Sequence, residues 1–390
     1  MRIARPATAV VCALTLGWSS AGVAAAADSG AAAAPNLSCG EVISASVTLT
    51  GNLHCDGTGL IVDADNDVTL DLGGHTVTGN GTGDGIVLSS SDEPDFTYTL
   101  ENGRISGFAS GVLAGAVSVA DVNGVTITAS PAAVEFGSQL SDFSLANSRI
   151  TGATNDFFYG PGVNIVFVDV TGSTIIGGAE QVITGLGEGY YHDDHITDSA
   201  VTFETPGNDV ISDNVFDDSM VDEGTFGGQL IIEDNTFENA QTGLLDYSLG
   251  GDTISGNTFK GNVGVGAFLY LSVDANLGND AITDNRFIDN GASGLYVAAA
   301  GEVSVGTISS NTATGNGFQP DGQLDFDGHL LADGITVDQN FGPVTVADNH
   351  FGRNAAFGIW LDQTGTVTDG GGNTSHRDPQ GCAPSSLCRH

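Results

Sequence analysis

Apolar and polar positions along this chain are organised by a short phrase that keeps returning. It reads Ile211-Ser212-Asp213-Asn214-Val215-Phe216, then Ile232-Glu233-Asp234-Asn235-Thr236-Phe237, then Ile254-Ser255-Gly256-Asn257-Thr258-Phe259. It comes back as Ile282-Thr283-Asp284-Asn285-Arg286-Phe287 and Val346-Ala347-Asp348-Asn349-His350-Phe351. Weaker versions upstream include Tyr98–Ile105 and Phe143–Ile150. Runs such as Val68–Leu72 and Val122–Ile127 are rich in β-branched residues, with Gly and Asn at the corners, and predict short strands joined by tight turns. No long helical periodicity follows the N-terminus. A period in the twenties predicts a solenoid, because one copy cannot bury its apolar face alone. From Val68 to Asn373 the spacing predicts about a dozen coils of roughly 20–30 residues. Strands about 4.8 Å apart make that stack roughly 60 Å long.

The Asn column has a structural reading. Asn tolerates left-handed corners, and stacked amides continue a hydrogen-bond ladder. Asn102, Asn147, Asn214, Asn235, Asn257, Asn285, Asn311 and Asn349 are expected in that role. A second element follows each Asn corner: Gly243-Leu244-Leu245-Asp246, Gly266-Ala267-Phe268-Leu269-Tyr270, Gly294-Leu295-Tyr296-Val297, Gly334-Ile335-Thr336-Val337-Asp338 and Gly358-Ile359-Trp360-Leu361-Asp362. With the residue after Gly pointing inward, Leu245, Phe268, Tyr296, Thr336 and Trp360 form one outward column. Tyr270, Asp338 and Asp362 form another. Rings stack on sugar faces and carboxylates accept from hydroxyls, so Phe268, Tyr270, Tyr296, Trp360, Asp338 and Asp362 are candidate substrate-binding residues. The alternative is a satellite core covered by loops.

Composition adds compartment and charge. The first residues read as an export signal: basic Arg2 and Arg5, apolar Ala7–Leu16, and Ala25-Ala26-Ala27 before Asp28. The expected organisation is a signal at 1–27, an N-terminal segment and cap at 28–67, repeats at 68–373 and a tail at 374–390. Beyond Cys12 in the signal, an even set of cysteines remains, as disulfides in an exported chain require. The local pairing, Cys39 with Cys55 and Cys382 with Cys388, staples each end of the stack. The formal charge is −39, and Lys260 is the only lysine. That excludes a nucleic-acid partner, whose affinity rests on Lys and Arg. A polyanionic glycan would need bridging metal ions, with Ca²⁺ the candidate cofactor; a hydrated acidic surface is the plainer explanation. The expectation is a secreted monomer with no membrane insertion.

The opening Cys39-Gly40-Glu41-Val42-Ile43, Leu53-His54-Cys55-Asp56-Gly57 and Val68–Gly79, followed by Gly83-Asp84-Gly85-Ile86, resembles bacterial right-handed parallel β-helix proteins of the pectin lyase-like group. The resemblance implies an all-β, right-handed parallel β-helix. That fold hosts lyases, hydrolases, epimerases and adhesins, so function must come from a site.

The densest titratable cluster is Tyr190-Tyr191-His192-Asp193-Asp194-His195, with Asp217-Asp218 and Asp222-Glu223 about one coil later. Stacked in register, Asp193-Asp194 and Asp217-Asp218 would face each other. They would then share a proton for acid catalysis or bind a hard cation. Asp193, Asp194, Tyr191, His192, His195, Asp217 and Asp218 are therefore the catalytic candidates. Asp217, Asp218, Asp222 and Glu223 are the metal candidates. Asp193-Asp194-His195 is similar to the Asp-Pro-His segment of alginate-type C5 epimerases, with Asp in place of Pro. His329, in Asp325-Phe326-Asp327-Gly328-His329 with Asp333 beyond, marks a second candidate site. The functional expectation is action on an extracellular polysaccharide, as a lyase or C5 epimerase on a uronate glycan. A hydrolase using paired aspartates, or a non-catalytic surface or matrix β-helix, are the alternatives.

Overall fold

The computed structural model describes residues 36–389 apart from 91–95, 116, 138–139, 161–166, 182–187, 204–207, 224–228, 248–250, 272–279, 300–303, 339–341 and 363–365. The export signal expected at 1–27 lies outside the described residues. Among the described residues, 39 short strands pair in parallel from coil to coil. They close into about 13 turns, with no α-helix among them. Each turn of the second half has three faces. Leu230–Glu233 and Thr253–Ser255 belong to the first. Thr236–Glu238 and Thr258–Lys260 belong to the second. Leu244–Asp246, Ala267–Leu271 and Leu295–Ala299 belong to the third. Pairing begins with Glu41 against Leu60 and runs to Trp360 against Ala383. Both expected disulfides are present, Cys39–Cys55 and Cys382–Cys388.

The repeated phrase is a corner with its flanking strands. Ile232 points into the core, Glu233 outward, Asp234 takes the left-handed corner (φ 57°), and Asn235 turns inward. Phe237 then opens the second face from inside. Phe216, Phe237, Phe259 and Phe287 stack one above another, with ring centroids 4.8–5.1 Å apart and planes within 7°. These coils share one continuous apolar core.

The buried amides form the expected ladder. Each Oδ1 accepts the backbone N–H and the side-chain Nδ2–H of the preceding coil's Asn, as Asn257 does from Asn235 at 2.9 and 3.0 Å. The ladder continues through Asn285, Asn311 and Asn349 to Asn373. Asn102 and Asn147 do not belong to it. They occupy the left-handed corner itself (φ 56° and 50°), one residue before the ladder position. In that region Ser148 and Ser173 stand in the ladder. A second ladder, Asn262, Asn290, Asn316 and Asn354 ending on Asp378, runs along the next corner. The recurring Gly before the third face is required by close approach. A Cβ on Gly266 would lie 2.5 Å from the carbonyl oxygen of Gly294 in the next coil.

Asp194 is the weak rung. It is buried, accepts the Ser173 N–H at 2.7 Å, and its own N–H donates to Asn214 Oδ1. Its Oδ2 stands where other rungs carry an NH₂ and has no partner. Burial pushes its carboxyl up to about 7. The native state therefore holds this proton over a pH range where the unfolded chain has released it, and stability falls as pH rises from about 4 to about 7. Asp194→Asn restores the rung and is expected to stabilise the fold by about 2 kcal/mol above pH 7, with the gain fading toward pH 4. Urea midpoints across that range check it; no gain at any pH would refute it.

Candidate functional site

The expected outward column exists in register on the third face. Asp222 pairs with Leu245, Leu245 with Phe268, Phe268 with Tyr296, Tyr296 with Thr336, and Thr336 with Trp360. Its middle is covered. The long segment between the strands Thr312–Thr314 and Ile335–Val337 folds over it and leaves Tyr296 6%, Thr336 0% and Asp338 1% exposed. Leu331 of that segment packs with Tyr296, Val265, Ala292 and Ala298, and Phe268 and Tyr270 are partly buried against them. The column is thus a satellite core in its middle, with partly exposed aromatic rims beside it.

The covering segment brings chemistry onto the column. Asp333, fully buried, accepts hydrogen bonds from His329 Nε2 at 2.7 Å, Thr336 Oγ1 at 2.9 Å and the Phe357 N–H at 3.0 Å. The His329 ring lies flat on Trp360, 4.0 Å between centroids and 5° between planes. Tyr296 donates its hydroxyl hydrogen to Asp338 at 2.9 Å, and the Phe326 N–H donates to the same oxygen at 3.1 Å. Asp325 accepts the N–H groups of Asp327 and His329 through Oδ1. Asp327 is hydrogen-bonded to Asp362. Five rings stand around these carboxylates. Phe268 stacks on Tyr296 at 4.9 Å, and Tyr247, Tyr270 and Phe326 make edge or tilted contacts at 5.9–6.4 Å.

Electrostatics follow from the crowding. Burial, then the charge of Asp338, raises Asp325 above the usual carboxylate range. Local desolvation, the hydrogen bond to Asp362 and like charge raise Asp327. Burial and Asp338 push the Tyr296 phenol up, so it acts as a donor. For His329, burial alone would lower the imidazole; Asp333, Asp325 and Asp338 outweigh it and the net shift is upward. A raised His pKa means stabilisation that is complete below pH 6.5 and lost as pH rises through the native value. The covering segment is therefore expected to lose hydrogen-exchange protection as pH rises above neutrality, and in His329→Ala at every pH. Protection independent of pH would remove His329 as its clasp.

The Tyr190–His195 cluster is arranged differently from the expectation. Tyr191 points into the core and Asp194 into the ladder. His192 faces outward on the first face, 3.1 Å from Thr171 Oγ1 and 3.4 Å from Asp169. Asp193 is an exposed left-handed corner (φ 61°), and His195 begins the second face. Asp217 stacks on Thr197, and Asp194 is followed by Asn214. The two Asp pairs therefore sit at different corners, three residues or roughly 10 Å apart along the strand, and do not face each other. Asp218 is itself a left-handed corner (φ 49°). Asp222 lies on the third face beneath Leu245; the side chain of Glu223 is outside the described ones. Among the described residues no three His, Cys, Asp or Glu groups converge as a metal site. The segment Asp325–Asp333, read in the sequence as the second candidate, is the one the fold joins to the aromatic column.

The family model for the right-handed β-helix region matches residues 194–326 and 227–374. No curated protein matches the chain. Among solved structures, the chain is similar to the catalytic domain of a GH87 α-1,3-glucanase in complex with nigerose (12% identity, 86% of this chain and 63% of that one, TM-score 0.29). It thus spans less than two thirds of that domain. It is also similar to the A-module of Azotobacter vinelandii mannuronan C-5 epimerase AlgE6 (12% identity, 84% and 89%, TM-score 0.23). A third is a tailspike protein mutant of E. coli bacteriophage HK620 in complex with a pentasaccharide (11% identity, 86% and 73%, TM-score 0.25). No helix among the described residues is long and apolar enough to cross a membrane. The stacked parallel coils and the match to their repeats agree: the chain is a right-handed parallel β-helix repeat protein, consistent with the pectin lyase-like group.

Proposed function

We propose that the protein acts on an extracellular polysaccharide held along its third face and hydrolyses glycosidic bonds with the Asp327–Asp362 pair. The observation that carries this reading is the meeting of a hydrogen-bonded carboxyl pair with a cluster of aromatic rings on one face. Rings of this kind bury the faces of sugar residues. Desolvation, the hydrogen bond to Asp362 and neighbouring like charge raise Asp327 above its ordinary value, the direction that suits a general acid. In the proposed step the Asp327 proton goes to the glycosidic oxygen as the bond to the anomeric carbon breaks. Water adds to that carbon and gives its proton to the ionised carboxylate of the pair. The two disulfides suit an oxidising compartment outside the cell.

Hydrolysis fits this face better than uronate elimination or C5 epimerisation. Those reactions need the substrate carboxylate neutralised. Arg104, Arg149, Lys260 and Arg286 lie on the second face, Arg353 and Arg377 at the corner that follows it, and Arg389 bridges to Thr374 at the end of the second face. The test is incubation with neutral and acidic polysaccharides, with and without Ca²⁺, following new reducing ends and unsaturated uronates together. Reducing ends without unsaturation are expected. Ca²⁺-dependent unsaturated product would overturn the hydrolase in favour of a lyase, and binding with neither product would leave a glycan-binding solenoid.

A further inference from the structure

Four carboxylates, Asp325, Asp327, Asp338 and Asp362, gather beside the aromatic rings. No described Lys or Arg stands among them. Hydroxyl groups of a neutral sugar do not need so much negative charge, and a uronate is repelled by it. Asp325 adds an independent sign. It is 5% exposed, and one oxygen is tied to two backbone N–H groups. The other oxygen is buried without a partner, and the carboxylate is close enough to Asp338 and Tyr296 for their charges to interact. Leaving a charged oxygen buried and unpaired is costly unless a donor arrives with the ligand. These carboxylates do not converge as a metal site. A larger cation that spreads its hydrogen bonds suits them, and the adjoining rings suit it too, since an ammonium is attracted to aromatic faces. The chain's overall charge of −39 would steer a polycation toward the molecule from any direction.

Resting on the reading of the third face as a glycan site, we infer that its substrate is a glycan carrying free amines, with a sugar ammonium entering beside exposed Asp327 at the edge of the covering segment, where it supplies the donor that Asp325 lacks. Three or fewer hydrogens of the ammonium pair with carboxylate oxygens, and the pyranose face lies on an aromatic neighbour. N-acetylation would remove the charge and add bulk, so acetylated chains are expected to be poor ligands.

The test uses the purified protein and matched oligosaccharides: glucosamine and galactosamine oligomers, their fully N-acetylated forms, and oligogalacturonate. Calorimetric binding and reducing-end release are both followed. The amine forms are expected to bind at least about tenfold more tightly than their acetylated partners, and the difference should shrink as salt rises. Asp325→Asn is expected to erase most of that preference while leaving the melting temperature unchanged or higher, because it removes a buried charge. Equal binding of amine and acetylated forms, or preference for the uronate, overturns the inference. Asp362-dependent cleavage of a glycan without amine preference would overturn the ammonium seat yet leave the hydrolase standing. No binding or cleavage of any glycan would remove both.

Discussion

Replacing Asn285 by alanine is expected to destabilise the protein by about 4 kcal/mol, a large loss against the usual stability of a folded protein. The argument is a count of what the amide does. Its Oδ1 accepts from the N–H of Asn257 at 3.0 Å and from Asn257 Nδ2 at 3.1 Å. Its Nδ2 donates to the Ile254 carbonyl at 2.7 Å and to Asn311 Oδ1 at 3.1 Å. Asn285 is fully buried, so water does not replace these partners. Alanine loses all four and keeps the backbone bonds, from its own N–H to Asn311 Oδ1 and from the Thr312 N–H to its carbonyl. Asn285→Asp is expected to be nearly as harmful at neutral pH and milder in acid, since it recreates the Asp194 rung in a deeper setting. Chemical denaturation followed by far-ultraviolet circular dichroism measures the loss. Because coils couple to their nearest neighbours, melting of a few central coils before the rest is the expected form of the damage. A loss under about 1 kcal/mol would mean that the ladder decorates a stack held by its apolar core alone.

Asp362→Asn is expected to reduce hydrolysis by at least about a hundredfold, the ordinary contribution of a positioned acid or base. Asp327→Asn should do the same, and the double variant should be no worse than either single one, because acid and base act together in one step. Neither change should lower the melting temperature, since each relieves contact between like-charged groups. Trp360→Ala should act differently, raising KM more than it lowers kcat, and should release His329, which rests on that ring. Circular dichroism, thermal melts and steady-state kinetics on the same samples separate these effects. Full activity in Asp362→Asn would clear the third face of a catalytic role. Loss of activity in Asp193→Asn or Asp217→Asn would move the centre to the other corners.

The acidity that first suggests calcium has a more local cause in many places. Asp193, Asp198, Asp213, Asp218, Asp234, Asp284, Asp289 and Asp348 all occupy left-handed corners. Short side chains that bond to nearby backbone favour that conformation, and Asp does so while staying hydrated. Part of the negative charge is thus a by-product of turning the chain.

What the sequence by itself determined is whatever depends on neighbours within one coil and on the repeat of that coil. The Asp-Asn corner, the inward Phe, the Gly that admits the next coil and the alternation that puts Phe268 and Trp360 outward are all local, and repetition amplifies each one. The end disulfides were legible because cysteines 16 and 6 residues apart have few other ways to pair at the ends of a stack. The second Asn ladder was equally legible, five residues after the first. Register between unlike coils was not, because a difference of one corner separates Asp194 from Asp217 and nothing within either segment specifies it. The site was decided by the tertiary structure for the same reason. Asp325–Asp333 interrupts the repeat, and no periodicity says where an interruption folds. Only its packing across the third face carries His329 to Trp360 and Asp327 to Asp362, joining residues whose sequence neighbours give no hint of each other.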